Sequence, residues 1–332
     1  MSAAAAEVVT LGETMAALRS TTPLRLGGSL GLSVAGAESN VAIGLARLGH
    51  SVAWIGRVGD DELGALVLRT LRAENVDVSG ALVDQSRPTG LILFERRLAD
   101  VTRVQYYRSG SAGSGLDEAD LPPDLVPASG RGVLHLTGIT SALGAAPARA
   151  ARVSAERARE AGRLVSLDVN YRARLWSAAD ARAALRPLVA LAGIVFASEP
   201  ELALLADETA PGAAAVVATA VTAATAVTAE GLLARGVHTV VVKRGAHGAT
   251  AYTADGTISV PARAVRAVDV IGAGDAFVSG YLSGVLDGLD IAGRLRRGAA
   301  VSAFAVGSAG DWEGLPTRAE LDLLDAAEDT IR

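Results

Sequence analysis

The chain has 332 residues, half of them hydrophobic and a fifth charged, a composition that supports a large core and argues against disorder. A net charge of −5 argues against nucleic acid as a partner, and the lack of cysteine excludes a disulfide framework or a thiolate metal site. No uninterrupted apolar run reaches the ~18 residues that cross a bilayer. The first residues lack the basic start of a signal peptide, and His50, His135, His238 and His247 show no ligand spacing, so the sequence reads as one soluble, cytoplasmic domain over 1–332.

Along the chain, short apolar runs alternate with segments of helical period. Residues 8–11, 52–55, 133–136, 164–169, 194–197 and 239–242 read as strands. Residues 40–48, 62–74, 147–161, 179–191 and 199–206 read as helices. This repetition predicts an α/β fold of three layers, a mainly parallel central sheet wrapped by helices on both faces. Two regions, about 12–34 and 88–110, break the pattern; within the second, 90–94 and 102–106 read as strands joined by a turn, with no helix between. The stretch 213–234 is almost entirely Ala, Val and Thr, and reads as a small-residue surface helix with an extended loop.

The run Asp269-Val270-Ile271-Gly272-Ala273-Gly274-Asp275 carries the most chemistry. An apolar run over 264–270 stops at two glycines and a helical pattern follows. Glycines at a helix start leave amide N–H groups bare at the positive end of the dipole, which suits a phosphate. Asp275 falls in the first turn, placed to take a proton, so the segment points to phosphoryl transfer to a hydroxyl, against the plainer reading of an Asp in a helix first turn. A Walker P-loop is excluded because the lone lysine, Lys243, is followed by Arg244. The glycines of 110–115 precede no long helix, so a dinucleotide site there is not expected. Lys243, Gly245 and Gly248 follow a strand, where open α/β sheets bind ligands. Tyr106-Tyr107-Arg108 and Asn170-Tyr171-Arg172 each end a predicted strand, and two arginines in one cleft suit a carboxylate better than a neutral sugar.

Three motifs in order give a resemblance: Gly36-Ala37-Glu38-Ser39-Asn40, the Gly56–Gly64 run Gly-Arg-Val-Gly-Asp-Asp-Glu-Leu-Gly, and the 272–275 segment. Together they resemble the ribokinase-like (PfkB) sugar kinases. Gly36-Ala37-Glu38, Tyr106-Tyr107-Arg108, the Asn170-Tyr171-Arg172 run and Ala309-Gly310-Asp311-Trp312-Glu313-Gly314 further resemble its 2-keto-3-deoxygluconate kinase branch. The resemblance implies a ribokinase-like fold whose irregular regions form a small β lid, and ATP and Mg²⁺ as cofactors, with a monovalent cation left open. It implies a sugar acid phosphorylated at its terminal hydroxyl. Asp275 is then the base and Gly272, Ala273 and Gly274 the anion hole. Gly36, Ala37, Glu38, Asn40, Tyr106, Arg108, Arg172, Asp275 and Asp311 face the sugar acid. Asn170, Ser198, Lys243, Gly245 and Gly248 join the glycines toward the nucleotide. Glu201, in an N-x-x-E-like run with Ser198 for Asn, holds Mg²⁺ through water; the same residues also read as a helix cap. The chain departs from the pattern at Ala35, at Ile92 (a tyrosine is expected) and at Ala299. Alternating Ile92, Phe94, Val104 and Tyr106 predict an exposed apolar lid face that pairs with a second copy, at least a homodimer. A neutral-sugar kinase, a kinase for the galactonate epimer and a non-catalytic sensor are the alternatives.

Overall fold

Runs of Val, Leu, Ile and Ala bury on both faces only in the middle of a sheet, and alternate strand residues here divide between two separate cores. The computed structural model describes residues 6–98, 101–123, 125, 132–206 and 218–324. The strands are β1 (Val8–Leu11), β2 (Met15–Ser20), β3 (Gly31–Ala35), β4 (Val52–Ile55), β5 (Arg57–Gly59), β6 (Val76–Asp77), β7 (Leu82–Asp84), β8 (Leu91–Leu98) and β9 (Val101–Tyr107), then β10 (Val133–Thr137), β11 (Leu164–Asp168), β12 (Ile194–Ser198), β13 (Thr239–Lys243), β14 (Ala249–Thr253) and β15 (Gly256–Val260). The helices are α1 (Ala37–Arg47), α2 (Glu62–Ala73), α3 (Gly138–Ala142), α4 (Ala145–Glu160), α5 (Ala178–Leu191), α6 (Glu199–Ala203), α7 (Ala218–Ala234), α8 (Ala273–Leu286) and α9 (Ile291–Val306).

The main sheet has the order β15-β14-β13-β12-β11-β10-β1-β4-β6. It is parallel from β13 to β6, while β14 and β15 run antiparallel at one edge. Val9, Leu134, Leu167 and Val240 point into a core with α4, α5 and α7. Val8, Val133, Phe196 and Val241 point into the other, with α1, α2, α8 and α9. This two-sided burial is why the parallel strands read as unbroken apolar runs. All six expected strands are present. The edge hairpin of β14 and β15 was not anticipated, because its Thr, Gly and Ser content hides the alternation. Helix α1 starts three residues earlier than expected, at Ala37, because the Asn40 amide closes the first turn onto the Gly36 carbonyl at 2.8 Å. Helix α6 stops at Ala203, short of the expected 206. Residues 261–270 form no strand. In the Ala/Val/Thr-rich stretch, 218–234 is helical and 213–217 lies outside the described residues. Among the described residues no helix is long and apolar enough to cross a membrane.

A second sheet of four strands, β3-β2-β8-β9, forms the lid over 15–20, 31–35, 91–98 and 101–107. The expected hairpin is thus only half of it, joined to β2 through parallel pairing of β8. Its apolar face is not exposed. Ile92 and Phe94 are buried with Met15, Ala17 and Ala35, and Val104, Tyr106 and Ile271 pack against them. These side chains turn inward over a cleft, so they supply no reason for a second copy; Leu32, Val101 and Tyr107 are large apolar lid residues left exposed.

Candidate active site

The carboxyl ends of the parallel strands open on one cleft of about 450 Å³. Glu13 just past β1, Asn170 past β11, Ser198 closing β12 and Lys243 closing β13 all line it. The two helix starts, α1 and α8, supply the opposite wall. Gly272 caps α8 with φ of 76°, and a Cβ there would collide with the Asp311 carbonyl, so only glycine fits this turn. The first amides of a helix have no intrahelical partner, and Gly272 and Gly274 bring them to the cleft surface. Ala273 does not line the cleft; its amide turns back toward the Val270 carbonyl at 3.4 Å. The expected anion hole therefore narrows to the glycines and Asp275.

Asp275 is nearly buried, and two amides hold its carboxylate. Asn40 Nδ2 donates to Oδ2 at 2.8 Å and Asn170 Nδ2 to Oδ1 at 3.4 Å. Asn170 has a left-handed φ of 41°, a conformation asparagine tolerates better than most residues and one that gathers at functional sites. Burial pushes the Asp275 carboxyl up to about 7, with the Asn40 hydrogen bond opposing. A carboxylate in that range can accept a proton near neutral pH. Asn40 Oδ1 is buried without a partner, an acceptor facing no protein donor.

Lys243 places Nζ 2.5 Å from Asp168 Oδ2 and beside the start of α8, where it would sit 3.5 Å from a Cβ on Gly274. Although burial opposes its charge, the carboxylates of Asp168 and Glu201 hold its ammonium above the usual lysine range. Gly245 lines the cleft; Gly248 does not, and its close packing on the Val260 carbonyl gives it a turn-forming role instead.

Glu201 has less freedom than expected. Its Oε1 accepts from the Tyr171 amide at 2.8 Å, and Oε2 from the Ser198 amide and hydroxyl at 2.7 and 2.9 Å. The capping-box reading of Ser198 and Glu201 holds, and leaves Glu201 to meet a metal only through water. The described residues contain no cluster of three or more His, Asp or Glu able to cage an ion. Asp168 is buried with Oδ1 unpartnered and does not line the cleft, whereas Glu201 does, so a hydrated Mg²⁺ beside a nucleotide would meet Glu201 at this end. Sequence reasoning missed Asp168, whose signal was its place two residues before Asn170 at a strand end.

On the lid side, Arg108 lines the cleft but is not free. Glu13 Oε2 accepts from its Nε at 2.7 Å and Nη2 at 2.6 Å, and Ser111 Oγ donates to Glu13 Oε1. Arg108 also lies 5.6 Å from the centre of the Tyr106 ring. Glu13, 2% exposed, is the second residue that sequence reasoning missed. Arg172 is exposed on the cleft wall, where its Nη1 donates to the Tyr171 carbonyl at 3.3 Å. Glu38 is buried; burial raises its carboxyl while Thr137 and Thr140 both donate to Oε1 at 2.6 Å. Asp311 reaches the cleft, pushed up to about 6 by burial against the charge of Arg19, which holds it. Gly36, Ala37, Asn40 and Tyr106 also line the cleft.

Residues 5–318 match the profile described as pfkB family carbohydrate kinase. The chain is 36% identical to the 2-dehydro-3-deoxygluconokinase of Bacillus subtilis (strain 168), over 98% of its own length and 97% of the relative's. It is 33% identical to the 2-dehydro-3-deoxygalactonokinase of Haloferax volcanii, over 90% of each. Among solved structures it superposes with a TM-score of 0.85 on the E. coli protein described as ribokinase II in complex with ATP and Mg²⁺. That match has 25% identity and covers 97% of this chain and 100% of the other.

Proposed function

The chain belongs to the pfkB family of carbohydrate kinases, and is thus a phosphotransferase with an alcohol acceptor on a ribokinase-like fold; from that premise we propose that it phosphorylates the terminal hydroxyl of 2-keto-3-deoxy-D-gluconate at the expense of ATP. The observation that carries this reading is Asp275, held by two asparagine amides at the start of α8 with its carboxyl near 7. Asp275 takes the hydroxyl proton as the sugar oxygen forms a bond to the γ-phosphorus. The bond from that phosphorus to the β–γ bridging oxygen breaks, and ADP leaves with the electron pair. The bare amides at the start of α8 and the Lys243 ammonium stabilise charge on the transferred group. Mg²⁺ bound with the nucleotide would neutralise phosphate charge, its water shell held by Glu201.

Arg108 and Arg172 on the cleft wall and the identity to 2-dehydro-3-deoxygluconokinase support a sugar acid as the acceptor. The second reading is a neutral-sugar kinase, favoured by the grip of Glu13 on Arg108, which already balances one of the two positive charges. ATP consumption measured over a panel of sugars and sugar acids tests the choice. Turnover fastest with 2-keto-3-deoxygluconate is the expected result; fructose or ribose turned over faster would overturn it in favour of the second reading, and the galactonate epimer turned over faster would change the epimer but keep the acid.

A further inference from the structure

Arg19 belongs to lid strand β2, yet its guanidinium touches both sides of the Gly272 turn. Nη2 donates to Asp311 Oδ1, and Nη1 lies 3.6 Å from Asp269 Oδ2. Asp269 in turn accepts the Ile271 amide on Oδ1 at 3.1 Å, which fixes the chain entering the turn. The Asp311 carbonyl packs directly on Gly272, which fixes the turn from outside. The face of Arg19 lies over Phe94, 4.1 Å from the ring centre, and Phe94 lines the cleft.

The loop after α9 is braced from two directions. Arg47 of α1 donates Nη1 to the carbonyls of Trp312, Glu313 and Leu315 at 3.3, 3.1 and 2.7 Å. Toward the lid, Trp312 Nε1 donates to the Val34 carbonyl at 2.9 Å and Ser33 Oγ to Glu313 Oε1 at 2.5 Å. Trp312 and Glu313 are therefore held to the main body through their carbonyls and to the lid through their side chains.

We propose that Arg19 is a positioning residue for phosphoryl transfer: by joining Asp311 and Asp269 it sets the geometry of the anion-binding turn according to whether the lid is seated. The proposal rests on the reading of that turn as the phosphoryl site. A planar guanidinium can hold two carboxylates at once, which an ammonium on a single point of charge does poorly. Removing it leaves Asp311 facing Asp269 and Glu313 without the cation that pairs them, an uncompensated charge at a part-buried site.

The test is hydrogen exchange of the ligand-free enzyme, read on peptides covering 268–277, for the parent, Arg19→Met and Arg19→Lys. Arg19→Met should speed exchange at the Ile271 and Ala276 amides by about tenfold or more through local opening of the turn. Its kcat should fall by about tenfold or more while KM for ATP stays within about threefold, since loss of orientation acts on the chemical step. Arg19→Lys should fall between the two, and carries the test by itself if Arg19→Met does not fold. Exchange that quickens in 15–20 and 91–98 while 268–277 keeps the parent rate would overturn the proposal, leaving Arg19 a support of the lid alone. Full turnover in Asp275→Asn would remove the phosphoryl reading, and the exchange result would still stand or fall independently.

Discussion

Asp275, proposed as the base, is also a burden on the fold. In the free enzyme its carboxyl sits at about 7, so kcat/KM should rise about tenfold per pH unit up to that point and then level off. A break near the ordinary carboxylate range would show that Asp275 is not the base. Asp275→Asn should lose that limb and about a hundredfold or more in kcat. The same shift fixes the sign for stability. Folding raises the carboxyl from 3.8 to about 7, so its contribution is fully present below 3.8, declines as pH rises through the window and is gone above 7. At pH 8 the neutral Asn variant should therefore melt higher than the parent, and a lower melting temperature would refute the burial argument. The arginines divide differently. Arg108→Ala leaves Glu13 buried without its cation, held only by the Ser111 hydroxyl among the contacts described, and should cost about 2–5 kcal/mol, spread over folding and sugar binding. Arg172→Ala, at an exposed position, should raise KM for a sugar acid with the melting temperature unchanged. Equal losses of stability in both variants would erase the distinction between them.

At the scale of elements, the site consists of strand ends and helix starts, and these were the parts most open to reading from sequence. The apolar runs fix the parallel strands, and a chemistry-bearing residue follows each one that reaches the cleft. Asn40, Asn170, Lys243 and Asp275 could all be named because they stand beside such a boundary. Glu13 and Asp168 stand at boundaries too, but their importance lies in partners far along the chain, Arg108 and Lys243, and no local pattern encodes a pairing of that kind. The lid was legible as strands and misread in orientation, because alternation says that one face is apolar without saying which way it points. Once β8 pairs with β2, that face has Met15, Ala35 and Ile271 to meet. Glycine at 272 is the element-scale constraint with a direct test. Gly272→Ala must take a left-handed φ and push against the Asp311 carbonyl, a strain on the order of 1–3 kcal/mol. A melting temperature equal to the parent's, with kcat preserved, would mean that the turn relaxes freely and is not set by its neighbours.

For the molecule as a whole, the nine-stranded sheet carries large cores on both faces, while the lid has only the small cluster around Ile92 and Phe94. The lid meets the body through that cluster and through the polar contacts of Arg19, Ser33 and the Val34 carbonyl, and the cleft it covers is where a ligand can add contacts to both parts at once. Binding to the native state alone stabilises it by RT ln(1 + [L]/Kd), or ~2.7 kcal/mol at about a hundred times Kd. Because Asp275 is assigned to proton removal and not to affinity, Asp275→Asn should bind the sugar acid nearly as well as the parent. Thermal melts of both proteins with 2-keto-3-deoxygluconate should then shift upward by similar amounts, several degrees for a chain of this size. Fructose at the same concentration should give a smaller shift. The shift should also collapse in Phe94→Ala, which removes an apolar wall shared by lid and cleft while leaving the base untouched. If Asp275→Asn loses the shift and Phe94→Ala keeps it, the carboxylate is holding the sugar and the lid is not. The division of labour between catalytic helix and lid would then be reversed.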